Sequence, residues 1–227
     1  MIKFLINVAK IQQAHMFDHL KFQEIKEKID KLGKKTKIIA ISKNHPLESV
    51  KRAISKGVHI FGENRVQEAK AKFDYILEKN KKIELHLTGP LQTNKVKNAL
   101  DLFNVFHTVD REKLIKEFSK FPNKIEKKSF FIQVNTGKEK TKSGVNPEDT
   151  KEFLELCKKH GLNNISGLMC IPPITEDPKK HFSIIQNLSD KLGLGNPSIG
   201  MSSDYLDALD FNPQYIRLGT ALFGKRI

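Results

Sequence analysis

The 227 residues carry 40 lysines and arginines against 26 aspartates and glutamates, a formal net charge of +14, and include only two cysteines. No apolar run has the length of a membrane span. Cys157 and Cys170 have no metal-like spacing, which argues against a disulfide framework and favours a reduced, cytoplasmic setting.

Five of the 40 basic residues are arginines. A nucleic-acid reader is expected to use more, because the guanidinium fork reads guanine and grips phosphate at two points. The charge is therefore read as lysine bias on solvated faces, and nucleic-acid binding is kept only as a third functional reading. The first 20 residues contain His15, Asp18 and His19 and do not read as a signal peptide.

Along the chain, residues 4–32 show a helical stripe of Phe4, Leu5, Val8 and Ile11, then Leu20, Ile25, Ile29 and Leu32, ended by Gly33. A strand is expected at 37–42. A helix follows at 46–56, with Pro46 in its first turn and Gly57 past its end. Strand 58–62 and helix 64–79 come next, then strand 84–89 and helix 94–102. Strand 105–108 leads to a helix reaching 118, with Asp110 as its expected N-cap.

The second half repeats the alternation. Strand 130–135 is followed by the longest polar connection, 136–145. Asn146 is the expected cap of a helix to about 160, with Pro147, Glu148 and Asp149 in its first turn. Strand 165–171, helix 179–192, strand 198–200, helix 204–209 and strand 215–218 complete the order. Eight strands alternating with helices specify parallel βαβ units. Right-handed crossovers close eight of them into a (β/α)8 TIM-type barrel, and the length suits one. The fold expected is α/β, a single barrel domain over 37–227 with an extra N-terminal helical segment over 1–36. An open doubly wound sheet is the alternative.

Barrel sites form where strands end and loops begin. The run Ile38-Ile39-Ala40-Ile41 closes on Ser42 and Lys43. A lysine there faces the mouth of the sheet, and partial desolvation makes such an amine nucleophilic. Taken alone, it reads more simply as a strand end whose lysine snorkels to water. The other ends supply Gly62-Glu63-Asn64, His86, Gly89, Asn135, Met169, Gly200-Met201-Ser202-Ser203-Asp204 and Arg217-Leu218-Gly219-Thr220.

The last two segments are informative together. Barrels commonly hold phosphate on the loops after strands seven and eight. Ser202 and Ser203 stand where a helix starts, Gly219 lets an anion approach the main chain, and Thr220 adds a hydroxyl. Each segment alone reads as an N-cap or a turn. A phosphate site opposite a strand-one lysine matches pyridoxal 5'-phosphate, which has an aldehyde at one end and a phosphate at the other. Arg217 falls between them. An arginine beside the pyridine nitrogen keeps it unprotonated, which weakens the ring as an electron sink. By itself Arg217 reads equally as a rim ion pair.

These residues carry a resemblance to a known family. Ala40-Ile41-Ser42-Lys43, Phe61-Gly62-Glu63-Asn64 with Val66-Gln67-Glu68, and His86-Leu87-Thr88-Gly89-Pro90-Leu91-Gln92-Thr93-Asn94-Lys95 are followed by Gln133-Val134-Asn135 and Lys142-Ser143-Gly144. Then come Gly167-Leu168-Met169, Gly200-Met201-Ser202 with Asp204, and Arg217-Leu218-Gly219-Thr220-Ala221-Leu222-Phe223-Gly224. In this order they resemble the pyridoxal-phosphate homeostasis proteins, single-barrel relatives of the N-terminal domain of alanine racemase.

The resemblance implies that Lys43 holds the cofactor as a Schiff base. It implies that Ser202, Gly219 and Thr220 hold the phosphate, that Arg217 faces the pyridine nitrogen, and that Asn64 and Met201 line the cofactor. His86 is carried over beside an equally open reading as a packed interior side chain. Lys142 is a second amine near the site, or a solvated loop lysine. Arg65 stands where the family often has tyrosine, Leu85 where it has tryptophan, and His45 where it has a second lysine.

The function expected is a non-catalytic, monomeric carrier that binds, buffers or delivers pyridoxal phosphate to apo-enzymes. The alternative is an amino-acid racemase. Racemisation needs acid and base groups on both faces of the cofactor. The racemases supply one from a second, β-rich domain, for which the residues after the eighth strand leave no length.

Overall fold

A computed structural model describes residues 17–225 of the chain. Eight parallel strands close into a barrel in sequence order, with the eighth pairing back onto the first. They are β1 Lys37–Ile41, β2 Ile60–Glu63, β3 Glu84–Leu87, β4 Val105–Val109, β5 Ser129–Gln133, β6 Ile165–Met169, β7 Ser198–Met201 and β8 Tyr215–Leu218. The barrel expected from the βαβ alternation is the fold observed. The seam is in register: Lys37 pairs with Tyr215 and Ala40 with Leu218.

Strand alternation sorts the side chains into two cores. Ile39, Ile41, Val105, Phe131, Met169 and Tyr215 fill the barrel interior. Ala40, Phe61, Leu85, Leu87, Phe106, Phe130 and Ile132 point outward and join a larger core under the helices. The interior is not wholly apolar, because His86, His107, Ser198 and Arg217 are buried there as well.

The helices are α1 His19–Lys31, α2 Leu47–Ser55, α3 Val66–Lys79, α4 Val96–Leu102, α5 Glu112–Phe118, α6 Pro122–Ile125, α7 Thr150–Lys159, α8 Pro178–Leu192, α9 Tyr205–Leu209 and α10 Thr220–Phe223. Single 3₁₀ turns at Thr93–Lys95 and Pro147–Asp149 lead into α4 and α7. Sequence periodicity misses α6 and α10, each one turn long. The part of the expected N-terminal helix before residue 17 lies outside the described residues.

Two expected caps differ. Asp110 does not cap α5; the N-cap is Arg111, whose Nη1 lies 2.5 Å from Asp110 Oδ1. Asn146 precedes its turn as expected, but its amide donates to Asp149 Oδ2 at 2.9 Å instead of accepting from the main chain. At Asp110 the neighbouring guanidinium takes the carboxylate that the backbone amides would have used; at Asn146 the Asp149 carboxylate holds the side-chain amide by its nitrogen.

Helix α1 is fastened to the end of the fold. Asp18 caps it by accepting from Lys21 N at 2.9 Å, and Asp18 N donates to Leu222 O at 2.7 Å. The Phe17 ring packs 5.6 Å from Phe223. No helix among the described residues is long and apolar enough to cross a membrane.

Candidate functional site

Lys43 follows β1 by one intervening residue, Ser42, and the main chain on both sides of it is held. Ser42 N donates to Gly62 O at 3.0 Å, which carries the sheet one residue further. Ser42 Oγ donates to Glu63 Oε1 at 2.7 Å. From α3, Lys72 Nζ reaches across to Ser42 O at 2.7 Å and pairs with Glu63 at 2.5 Å and Glu68 at 2.9 Å. Glu68 Oε1 also accepts from Asn44 N at 2.5 Å. Asn44 has φ 60°, so the chain turns away at once, leaving the Lys43 side chain over the barrel mouth.

This clamp is built from charges that are hardly exposed. The Lys72 side chain is 9% exposed and that of Glu63 0%. Burial raises the Glu63 pKa, and Lys72 and Ser42 oppose the rise. For Glu68, 25% exposed, burial pushes the same way but is outweighed by Lys72 and the Asn44 amide, so its pKa is lowered. Sequence reasoning missed Lys72. Its one signal is the spacing Glu68 to Lys72, and an i,i+4 pair on a helix ordinarily reads as a solvated pair.

A cavity of about 530 Å³ opens at the carboxyl ends of the strands. Of the residues singled out from the sequence, Lys43, Asn64, Met201, Ser202, Arg217, Gly219 and Thr220 all line it. Thr88, Ile171, Ile41 and Ser203 line it too. Lys142 does not; it pairs with Glu139 at 2.6 Å in its loop, a solvated-loop placement.

His86 is the exception among the site candidates. It is fully buried within the barrel, its Nε2 2.7 Å from Glu84 Oε1 and its Nδ1 2.9 Å from His107 Nε2. It does not line the cavity. The reason is depth along the strand: Glu84, His86 and Thr88 share the inward phase of β3, and only Thr88, beyond the strand end, reaches the wall of the cavity.

The two far loops are stitched to each other. Gly200, at φ +90°, lets β7 turn into the loop; a Cβ there would lie 2.6 Å from Ala208 Cβ. Asp204 Oδ1 accepts from Met201 N at 2.6 Å. Ser202 Oγ accepts from Ala221 N at 3.1 Å, joining the β7 loop to the β8 loop. A Cβ on Gly219 would meet nothing in the protein closer than Ile41 at 3.5 Å. Packing therefore does not demand glycine there, and what the missing side chain preserves is open cavity beside a backbone amide.

Asn64 is seated by β3. Thr88 Oγ1 donates to Asn64 Oδ1 at 3.1 Å, and Gly89 packs so tightly that a Cβ would lie 2.7 Å from the Asn64 backbone. Arg217, 5% exposed, stands at the cavity floor. Its Nη1 donates to Ser198 O at 2.7 Å and Ser198 Oγ at 2.9 Å, and its Nη2 to Cys170 O at 2.9 Å. Among the described residues no carboxylate pairs with it within 4 Å. Burial lowers its pKa.

One cavity thus brings together a primary amine, a set of hydroxyls and loop amides, and a buried guanidinium. That donor set fits a molecule with an electrophilic carbonyl, an anionic group and an unprotonated aromatic nitrogen. It fits pyridoxal phosphate group by group.

Comparison with known proteins agrees. A family model described as alanine racemase, N-terminal domain, matches residues 20–226. The chain is 38% identical over 146 residues to a pyridoxal phosphate homeostasis protein of Aquifex aeolicus, a match spanning 60% of this chain and 64% of that protein. It is 32% identical over 232 residues to the protein of the same description in Vibrio alginolyticus, spanning 96% and 99%. Among solved structures, PipY of Synechococcus elongatus with PLP bound superposes with a TM-score of 0.78 at 29% identity, covering 91% of this chain and 99% of that one.

Proposed function

From a chain that belongs to the pyridoxal phosphate homeostasis proteins, within the alanine racemase N-terminal domain family, we propose a protein that binds pyridoxal 5'-phosphate reversibly and buffers or delivers it. One observation carries the reading: Lys43 and the Ser202, Gly219 and Thr220 loops line one cavity, with Arg217 at its floor.

When bound, the cofactor supplies an aldehyde that condenses with a primary amine. Lys43 is that amine, and the Ser42–Lys72 clamp restrains its main chain so that little freedom is lost on binding. Ser202, Thr220 and the Gly219 amide take the phosphate at the loops after β7 and β8. Arg217 donates to the ring nitrogen and, being positive, keeps that nitrogen unprotonated. Asn64 and Met201 close the sides of the ring.

The same arginine supports a carrier over a racemase. An unprotonated ring withdraws electrons poorly, so a carbanion beside it gains little stabilisation. We place the protein in the cytoplasm as a monomer that hands the cofactor to apo-enzymes; two free, buried cysteines accord with a reducing setting.

The test is a visible absorption band on adding pyridoxal phosphate, then borohydride reduction and peptide mass spectrometry. The expected phosphopyridoxyl group is on Lys43, and Lys43→Ala removes the band. A band that survives this change, or a label on another lysine, would overturn the assignment. Chiral analysis of alanine and serine incubated with the loaded protein checks the carrier reading; racemised product would sink it.

A further inference from the structure

The barrel interior holds a chain of polar side chains that the cofactor reading does not use. Glu84 and His86 stand on β3, His107 on β4, Ser198 on β7 and Arg217 on β8. Successive contacts are Glu84 Oε1 to His86 Nε2 at 2.7 Å and His86 Nδ1 to His107 Nε2 at 2.9 Å. They continue from His107 Nδ1 to Ser198 Oγ at 3.0 Å and from Ser198 Oγ to Arg217 Nη1 at 2.9 Å. His86, His107 and Ser198 are 0% exposed. The two imidazoles stack 5.1 Å apart, and Phe131 stacks on His107 at 4.8 Å.

With both rings neutral, the Glu84 end fixes the direction of every proton along the chain. A guanidinium only donates, so Ser198 Oγ accepts from Arg217. The serine keeps its own proton for His107 Nδ1, which is bare when the His107 proton is on Nε2. His107 Nε2–H donates to His86 Nδ1, and His86 Nε2–H donates to the Glu84 carboxylate, which only accepts. Every ring nitrogen is used with both histidines neutral. Burial lowers the pKa of His86 and sets that of His107 well below the usual value, in keeping with neutral rings. The hydrogen bond from His86 lowers the Glu84 pKa, in keeping with a carboxylate.

The consequence falls on Arg217. Of its five N–H groups, three are taken by Ser198 O, Ser198 Oγ and Cys170 O. The other two have no acceptor among the described residues, on a side chain that lines the cavity. If His107 Nδ1 carried a proton, Ser198 Oγ would have to accept from both His107 and Arg217, and the serine proton would lose its acceptor on His107.

We propose that His107 and His86 are positioning residues for the cofactor's ring nitrogen: with Ser198 they form a one-directional hydrogen-bond chain, anchored on Glu84, that holds Arg217 with two N–H groups presented to the cavity. This rests on the pyridoxal phosphate reading of that cavity, and it assigns a role to a histidine pair that touches neither cofactor nor solvent.

The first test needs no cofactor. In the unloaded protein at pH 7, ¹⁵N–¹H NMR should show His86 and His107 both neutral with the proton on Nε2. A proton on Nδ1 of His107, or a charged ring, would overturn the chain as drawn, whatever the cavity binds.

The second test uses pyridoxal phosphate and the substitutions Ser198→Ala, Ser198→Thr and His107→Phe. Ser198→Ala and His107→Phe should weaken binding by about tenfold, the scale of one charge-assisted hydrogen bond. They should also make the visible band pH-dependent between about pH 5 and 9, as the ring nitrogen regains its ordinary titration. Ser198→Thr, which keeps the hydroxyl, should behave as the parent. Wild-type affinity and a flat pH profile in Ser198→Ala would overturn the proposal. A parent protein that forms no band, with the tautomers as expected, would instead refute the cofactor reading.

Discussion

Replacing Lys72 with methionine tests whether the charged clamp holds the Lys43 loop. The substitution keeps the length of the aliphatic stem and removes one charge. It leaves Glu63, 0% exposed, with only the Ser42 hydroxyl against its carboxylate, since Oε2 has no hydrogen-bond partner. Breaking a buried pair on one side costs about 3–5 kcal/mol. At about 2–4 °C per kcal/mol for a chain of this size, the melting temperature should fall by roughly 6–20 °C.

The double change Lys72→Met with Glu63→Gln removes the stranded charge and should recover most of that loss, because the penalty lies in the unpaired carboxylate. The sign of the pH dependence follows from Glu63. Its folded pKa is already raised above the usual 4.5. The folded protein therefore binds more protons there than the unfolded chain, and stability falls as pH rises above that value. Losing Lys72 raises the folded pKa further, so the single variant should lose ground from mild acid toward neutral pH. Urea unfolding of parent, single and double variants at pH 5 and 8 measures all three terms. A loss below about 0.5 kcal/mol, as for an exposed lysine, would refute the clamp. So would a double variant as unstable as the single one.

Gly89→Ala should destabilise the fold by about 1–3 kcal/mol through overpacking and loosen Asn64, read as a melting shift together with weaker pyridoxal phosphate binding. Cys157 and Cys170, both buried with thiol pKa values pushed up to about 12, should resist a thiol reagent until the protein is unfolded in urea; rapid labelling of the native state would contradict this. Glu84 has a lowered folded pKa, so its contribution is present above the usual carboxylate value and is lost as pH falls through the folded one. Glu84→Gln should flatten the acid limb of the stability curve; an unchanged limb in a pH series of melts counts against it.

The barrel was legible because short runs rich in apolar residues alternate eight times with helical periods. Its edges were less so. The run after Ile165 was expected to reach 171 but stops at Met169. Cys170 O instead meets Arg217, and Ile171 turns out to line the cavity. Strand ends are where backbone groups change partners, and that choice is tertiary.

The cavity residues were legible for a related reason: barrel topology alone places the ends of β1, β7 and β8 on one rim. His86 reads from sequence as either cofactor-lining or packed interior, because one inward step, from His86 to Thr88, separates the interior from the mouth. Lys72 and His107 escaped notice because neither is at a strand end. A lysine on a polar helix and a histidine in a strand carry no mark of their partners, which come from elsewhere in the chain.

The seam between β1 and β8 has a consequence for biosynthesis. Lys43 lies just past the first strand and the proposed phosphate loop, Gly219–Thr220, just past the last, with nearly the whole fold translated between them. Until Tyr215–Leu218 has left the ribosome, β1 has an open edge, Arg217 is absent from the floor, and Ser202 has no Ala221 amide to tie it down. Under the proposed function, a nascent or interrupted chain ending before β8 would present the Lys43 amine without the groups that select its ligand, and cofactor binding would wait for completion of the barrel.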